Sequence, residues 1–263
     1  MDSRMTKHYG VDECDPKKIV DLFFSPETFP ETTTNMMTFL HTAFATGCAS
    51  GKSLIDISFG PIIFHLLPIC EFLEEITVLE ISDLCMEELV KWWNKDTDTY
   101  DWTHALSLLA ETNGSSDGWE EKEDTLISKI EHIGKCDFRQ NNPTDPLVLQ
   151  KVDCVMSLWV LDMISKDQDS YCQNLKKISS LIKLGGYIFI FGGINTSYVT
   201  IAEHKYHFLN YDDNFLKDAL SDEGYIIEHY QYLEKEPACE LIDRVTTVFV
   251  VARKVREVKN CKT

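Results

Sequence analysis

The chain has 263 residues, 44% hydrophobic and 11% aromatic, which is enough for one large globular core or at most two small ones. A formal net charge of −18 argues against nucleic acid as a partner, since phosphate contacts need basic patches. Nine cysteines without a Cys-x-x-Cys pair give neither zinc spacing nor a disulfide framework.

The opening stretch Met1–Tyr9 is polar and carries no apolar signal region, and no run approaches the ~18 apolar residues of a membrane span. A reducing cytosolic setting without membrane partners is the expectation. From Asp15 to Phe44, apolar spacing (Ile19, Leu22, Phe23; then Met36, Phe39, Leu40) predicts two helices joined by a bend at Pro26 and Pro30, covering the mouth of a later sheet. Leu54–Ile57 reads as a buried strand ending at a turn, and Pro61 opens a predicted helix to Phe72, because proline suits the first helical position. A second strand, Ile76–Leu79, ends at Glu80, and a helix follows from Asp83 to about Lys95 with Leu84, Leu89 and Trp92 inward. Asp83 is its expected cap.

Asp96–Asp124 is polar and acidic, a loop around a short helix near Ala105–Ala110, and its run Trp119–Asp124 reads as a solvated helix face. A helix at Glu123–Ile133 leads to a short strand before Asp137. Val152–Leu158 is apolar enough for a strand buried on both faces. The helix Gln168–Ile182 is expected to close on Gly185, followed by the strand Tyr187–Phe191. Phe215–Ser221 reads as helix, and Gly224–Tyr232 with Val245–Ala252 as an antiparallel pair. Strands alternating with helices give a mainly parallel α/β sheet.

In such sheets ligands bind outside the carboxyl ends of the strands. Asp56, Gly60 and Glu80 sit there, and the 20 residues from Gly60 to Glu80 match the spacing that places a carboxylate on a ribose. A pyrophosphate needs a Gly-x-Gly-x-x-Gly turn, whereas Leu54–Pro61 holds one glycine. A cationic, phosphate-free nucleoside such as S-adenosyl-L-methionine suits an acidic single-glycine turn better. His204 and His207 would be two metal ligands on one helix face, but no third ligand is indicated, so no metal is expected.

Leu54–Pro61, Glu87–Trp92 with Asp101–Trp102, Lys135–Asp137, Asp153–Asp162, Leu181–Gly186 and Glu223–Tyr225 appear in an order that resembles the class I S-adenosylmethionine-dependent methyltransferases. They are most similar to the nicotinamide, phenylethanolamine and indolethylamine (thioether) N-methyltransferases. The resemblance implies a Rossmann-like seven-stranded, mainly parallel sheet with helices on both faces. It also implies a helical lid over residues 1–50, a methyltransferase region over 51–255 and a tail over 256–263, all one structural domain and monomeric. Asp56 and Gly60 would floor the methionine part of the cofactor, Glu80 would take the ribose hydroxyls, and Asp137 the adenine amino group with Phe138 stacked beside it. Phe24, Phe64, Cys85 and Leu158 would complete the cofactor contacts.

Several positions depart from that pattern. Ser58 stands at the first motif glycine with Phe59 beside it, Ile19 replaces a lid tyrosine, Cys85 an asparagine and Leu158 a threonine. Each lost polar contact would cost ~0.5–1.5 kcal/mol. A weakened or silent family member acting as a binding protein is therefore the rival reading, and on it Ser58→Gly would tighten cofactor binding. On the acceptor side the nicotinamide branch places an aspartate where this chain has Gly192. The phenylethanolamine branch uses acids matching Asp162 and Glu203, with Asp243 as a third, and Thr196, Tyr198 and Tyr206 would line the same pocket. The acceptor implied is a small amine, with pyridine N-methylation as the alternative.

Overall fold

The computed structural model describes residues 14–27, 31–107, 119–234, 241–243 and 246–258. Its main sheet has seven strands: β1 (Ser53–Ser58), β2 (Glu75–Glu80), β3 (Ile130–Lys135), β4 (Val152–Leu158), β5 (Ile182–Ile194), β8 (Tyr225–Glu234) and β9 (Thr246–Lys254). The order is β3-β2-β1-β4-β5-β9-β8. β1 to β5 pair in parallel, and β9 runs antiparallel to both β5 and β8. Two short strands, β6 (Tyr198–Ile201) and β7 (His204–His207), form a separate hairpin. The strand order reverses between β1 and β4, where Ser58 stands opposite Leu158, and this opens the crevice at which such sheets bind ligands.

The helices are α1 (Pro16–Phe23), α2 (Glu31–Ala45), α3 (Asp83–Trp93), α4 (Trp119–Lys129), α5 (Val160–Ile164), α6 (Gln168–Ser179) and α7 (Asp213–Asp222). Asp15 caps α1 and Asp167 closes a capping box on α6. α2 does not cover the sheet's mouth as expected. It lies on the sheet face, where Phe44 stacks on Phe189 at 5.5 Å and Phe39 meets Phe191 edge-on at 5.9 Å. α1 reaches the crevice, where Ile19 lies over Gly60. Pro30 and the 113–118 loop lie outside the described residues.

Other departures have local causes. No α-helix follows Pro61; the chain runs through turns to a short 3-10 helix, Cys70–Phe72. Pro68 withholds an N–H and its ring clashes with the preceding turn, while Ile62 and Ile63 disfavour helix. Every residue from 61 to 70 is buried, so tertiary packing supplements the few turn hydrogen bonds there, such as Leu66 N–H to the Ile63 carbonyl and Cys70 N–H to the Leu66 carbonyl. α6 ends at Ser179, and Gly185 (φ +88°) sits within β5 near its register shift instead of closing the helix. Gly192 likewise lies inside β5. α4 stops at Lys129, where Ile130 already begins β3. A helical turn over 103–107 falls near the short helix expected in the acidic loop. Ser82, not Asp83, caps α3, and Leu84 is exposed while Cys85 is buried. On α4, Glu123 is more than a solvated face, since it accepts the Trp92 indole N–H at 2.7 Å. His204 and His207 occupy a strand rather than a helix, and among the described residues no acid, His or Cys group is placed to hold a metal.

Candidate active site

β1 is buried along its length and delivers Asp56, fully buried, to the crevice. Asp56 and Ser58 are two apart in a strand and so share a face. Ser58 is the last residue of β1 and keeps strand backbone; the left-handed residue is Gly60, at φ +88°. The turn's need for a glycine is met at Gly60, and Ser58 carries no left-handed backbone. A β-carbon at Gly60 would lie 3.2 Å from Ile19 Cγ2, because α1 folds directly over the turn. Phe59 is buried, and its N–H donates to the Leu158 carbonyl at 3.2 Å.

Glu80 closes β2 at 1% exposure. Its Oε1 accepts the N–H groups of Ile81 (2.6 Å) and Ser82 (3.0 Å), while Oε2 is buried with no partner. Burial pushes the carboxyl up to about 8, with the Asp56 charge adding to the rise and the backbone N–H groups of Ser82, Ile81 and Gly60 opposing it. A buried acceptor lacking a donor, 20 residues from a glycine turn, fits a ribose diol. Cys85 is fully buried in the first turn of α3, and burial pushes its thiol up. Asp137 follows β3 and forks with Arg139 (2.8 and 3.0 Å), so its carboxyl is held below the usual range and is already engaged where the resemblance implied adenine. Phe138 and Leu158 are buried nearby in sequence to the ends of β3 and β4.

Phe24, just past α1, stacks obliquely on Phe64 (5.0 Å), and its carbonyl accepts from His104 at 2.7 Å. Cys14 donates its thiol proton to the Tyr206 hydroxyl (3.0 Å), tying the start of α1 to β7. Outside α1 lies a cavity of about 290 Å³ bordered by Pro61, Glu88, Trp92, Asp98, Tyr100 and Trp102. Lys17 of α1 also lines it, set among these acids and aromatic rings. None of Asp56, Glu80 or Asp162 lines it, so it flanks the reacting region rather than containing it.

Of the residues the resemblance assigns to the acceptor, Asp162 is buried in α5 and accepts the Gly193 N–H (3.0 Å) and the Tyr211 hydroxyl (2.8 Å). Burial raises it to about 7 despite those donors. A β-carbon on Gly192 would run into the Tyr211 hydroxyl and lie 2.8 Å from Asp162 Oδ2. Thr196 is buried with its hydroxyl unpartnered. Tyr198 is half-buried with Lys205 3.9 Å above its ring. Asp243 accepts the N–H groups of Ser197 (2.8 Å) and Tyr198 (3.1 Å), holding that loop's backbone. Glu203, the second acid the resemblance implied, is exposed in the β6–β7 turn.

A model of the NNMT/PNMT/TEMT family matches residues 4–255. The chain belongs to this family. It is 31% identical to rabbit (Oryctolagus cuniculus) indolethylamine N-methyltransferase over 91% of its own length and 92% of the relative's. It is 32% identical to human (Homo sapiens) nicotinamide N-methyltransferase, over 81% and 80%. A Methanosarcina mazei S-adenosylmethionine-dependent methyltransferase structure superposes with TM-score 0.56 at 11% identity, covering 83% of this chain and 98% of that one, which speaks for the fold. The protein is an S-adenosylmethionine-dependent N-methyltransferase.

Within that family framework, Asp56, Gly60, Glu80 and Leu158 gather at the β1/β4 crevice and the end of β2. Sequence reading missed three residues. His65 bonds to Asp56, and Tyr211 fills the space beside Gly192. Trp159 takes a left-handed backbone (φ 60°) directly after β4, at the crevice, which is costly for a bulky residue. Only Trp159 follows a nameable signal, adjacency to the strand end; the other two pairings need three dimensions.

Proposed function

We propose that the acceptor is an arylalkyl amine methylated on nitrogen, in preference to nicotinamide. Position 192 carries this reading. The nicotinamide branch, by resemblance, needs an aspartate there; this chain has glycine, and the space a side chain would take is filled by Tyr211 and Asp162. The acid available to the acceptor is then Asp162, whose carboxyl titrates near neutrality because it is buried. Bound S-adenosylmethionine supplies an electrophilic sulfonium methyl. The chain holds the amine in line and excludes water, while the Asp162 carboxylate accepts the ammonium proton and so leaves the neutral nitrogen that attacks the methyl. Tyr198 offers a ring contact, as does Phe208, which is buried against Gly193 beside Asp162. Asp243 acts by fixing the 197–198 backbone, and Glu203 has no chemical step in this scheme. A small-molecule acceptor, a monomer and a cytosolic setting are consistent with the net charge of −18.

The test is labelled-methyl transfer to phenylethylamine, tryptamine and nicotinamide, assayed side by side. At least one amine should exceed nicotinamide in kcat/KM by about tenfold, as expected when one acceptor leaves polar groups unpaired and the other does not. Asp162→Asn should lower amine turnover by about a hundredfold. Nicotinamide outperforming every amine would overturn the assignment.

A further inference from the structure

Beneath the glycine turn, three polar side chains close a triangle. The Ser58 hydroxyl donates to Asp56 Oδ1 (2.5 Å), and His65 Nε2 lies 2.9 Å from Asp56 Oδ2 and 3.3 Å from Ser58 Oγ. Asp56 and His65 are 0% exposed and Ser58 is 5% exposed, so water does not compete. The partners dictate the proton positions. A carboxylate accepts only, so Nε2 carries hydrogen and shares it between Asp56 and Ser58. His65 Nδ1 is left buried with no partner.

The triangle spans the turn. Asp56 and Ser58 come from β1, and His65 comes from the irregular segment beyond Gly60, where an α-helix would ordinarily fix the geometry. Pro68 prevents that helix, so side-chain bonds fasten what backbone bonds do not. A glycine at 58 would withdraw the donor to Asp56 Oδ1 and the second acceptor of the imidazole N–H.

We propose that His65 is a cofactor-positioning residue. It clasps Asp56 and Ser58 across the turn and holds Gly60 and Asp56 in the shape that receives the methionyl end of S-adenosylmethionine. Ser58 is a working member of this clasp, not a damaged glycine motif. The proposal rests on the reading of this turn as the cofactor site.

The experiment measures the affinity of S-adenosylhomocysteine for wild type, His65→Gln, His65→Leu, Ser58→Gly and the Ser58→Gly/His65→Leu double variant, with thermal melts to verify folding. Losing a hydrogen bond to a charged group corresponds to at least about a tenfold rise in Kd, expected for His65→Leu. His65→Gln keeps an N–H for Asp56 and should stay within about threefold of wild type. Ser58→Gly should weaken binding, and the double variant should bind about as weakly as His65→Leu alone, because the two residues serve one clasp. In active variants KM for the cofactor should rise while KM for the acceptor holds. Nitrogen NMR of the free protein should place the ring proton of His65 on Nε2.

Wild-type affinity in folded His65→Leu, tighter binding by Ser58→Gly, or a proton on Nδ1 alone would each overturn the clasp while leaving the cofactor site in place. Wild-type protein that binds no S-adenosylhomocysteine would remove the site reading itself, and the proposal with it.

Discussion

Glu80, proposed to receive the ribose hydroxyls, should make cofactor binding depend on pH with a definite sign. In the free protein its carboxyl titrates at about 8, against an ordinary 4.5, because it is buried with one oxygen unpartnered. Ribose hydroxyls donate to a carboxylate, so the ionised form is the competent one. At pH 6 only about 1% of the free protein holds it, and at pH 8 about half. Apparent affinity scales with that fraction, so Kd should fall by up to about fiftyfold from pH 6 to pH 8 and level off above. Binding at pH 7 should release about 0.9 proton at this site. Titration calorimetry at pH 6, 7 and 8, in buffers of different ionisation enthalpy, reads both quantities. Glu80→Gln is the control: it keeps an acceptor for the Ile81 and Ser82 N–H groups but cannot titrate. Since the ligand's own amine is common to both proteins, only the difference between them reports Glu80. Identical pH profiles for wild type and Glu80→Gln would refute the reasoning. Without ligand the linkage runs the other way. Glu80 and Asp162 both have folded values above their unfolded ones, so the stability each contributes is full below about pH 4 and is lost as pH rises through about 7 to 8.

Gly60→Ala forces a side chain into left-handed backbone, which costs about 1–2 kcal/mol, and crowds Ile19; calorimetry should find weaker cofactor binding and a melt should show lower Tm. Gly192→Asp, which restores the acid of the nicotinamide branch, should lower Tm and gain no nicotinamide turnover, because Tyr211 and Asp162 already fill the space. Lys254 is buried and donates to the Ser179 (2.9 Å) and Ile182 (3.3 Å) carbonyls, so Lys254→Ala should cost about 3 kcal/mol in denaturant unfolding by stranding them.

Much of this arrangement was legible in the sequence. Val152–Leu158 appears as the strand predicted, because a run apolar on both faces has few alternatives. The positions of Asp56 on β1, Gly60 in the turn and Glu80 at the end of β2 were legible because a strand end and a turn residue suffice to place them. The helix after Pro61 was not, since the first-position rule for proline says nothing of Pro68 seven residues on. What surrounds Ser58 was not legible, for a deeper reason. A motif assigns a glycine by position, whereas the left-handed backbone falls at Gly60 and the Ser58 hydroxyl is held by His65. Glu203 matched by alignment of acids alone, and an exposed hairpin turn is invisible to that comparison. Asp137 was placed correctly after β3, but its capture by Arg139 two residues later depends on a local fork that spacing does not announce.

The most direct measurement is an internal competition: tryptamine and nicotinamide in one tube with limiting S-adenosylmethionine, the methylated products identified by mass spectrometry. The product ratio equals the ratio of kcat/KM values at equal acceptor concentration. The account predicts N-methyltryptamine in excess, with that excess sensitive to Asp162→Asn. N-methylnicotinamide as the main product would contradict it.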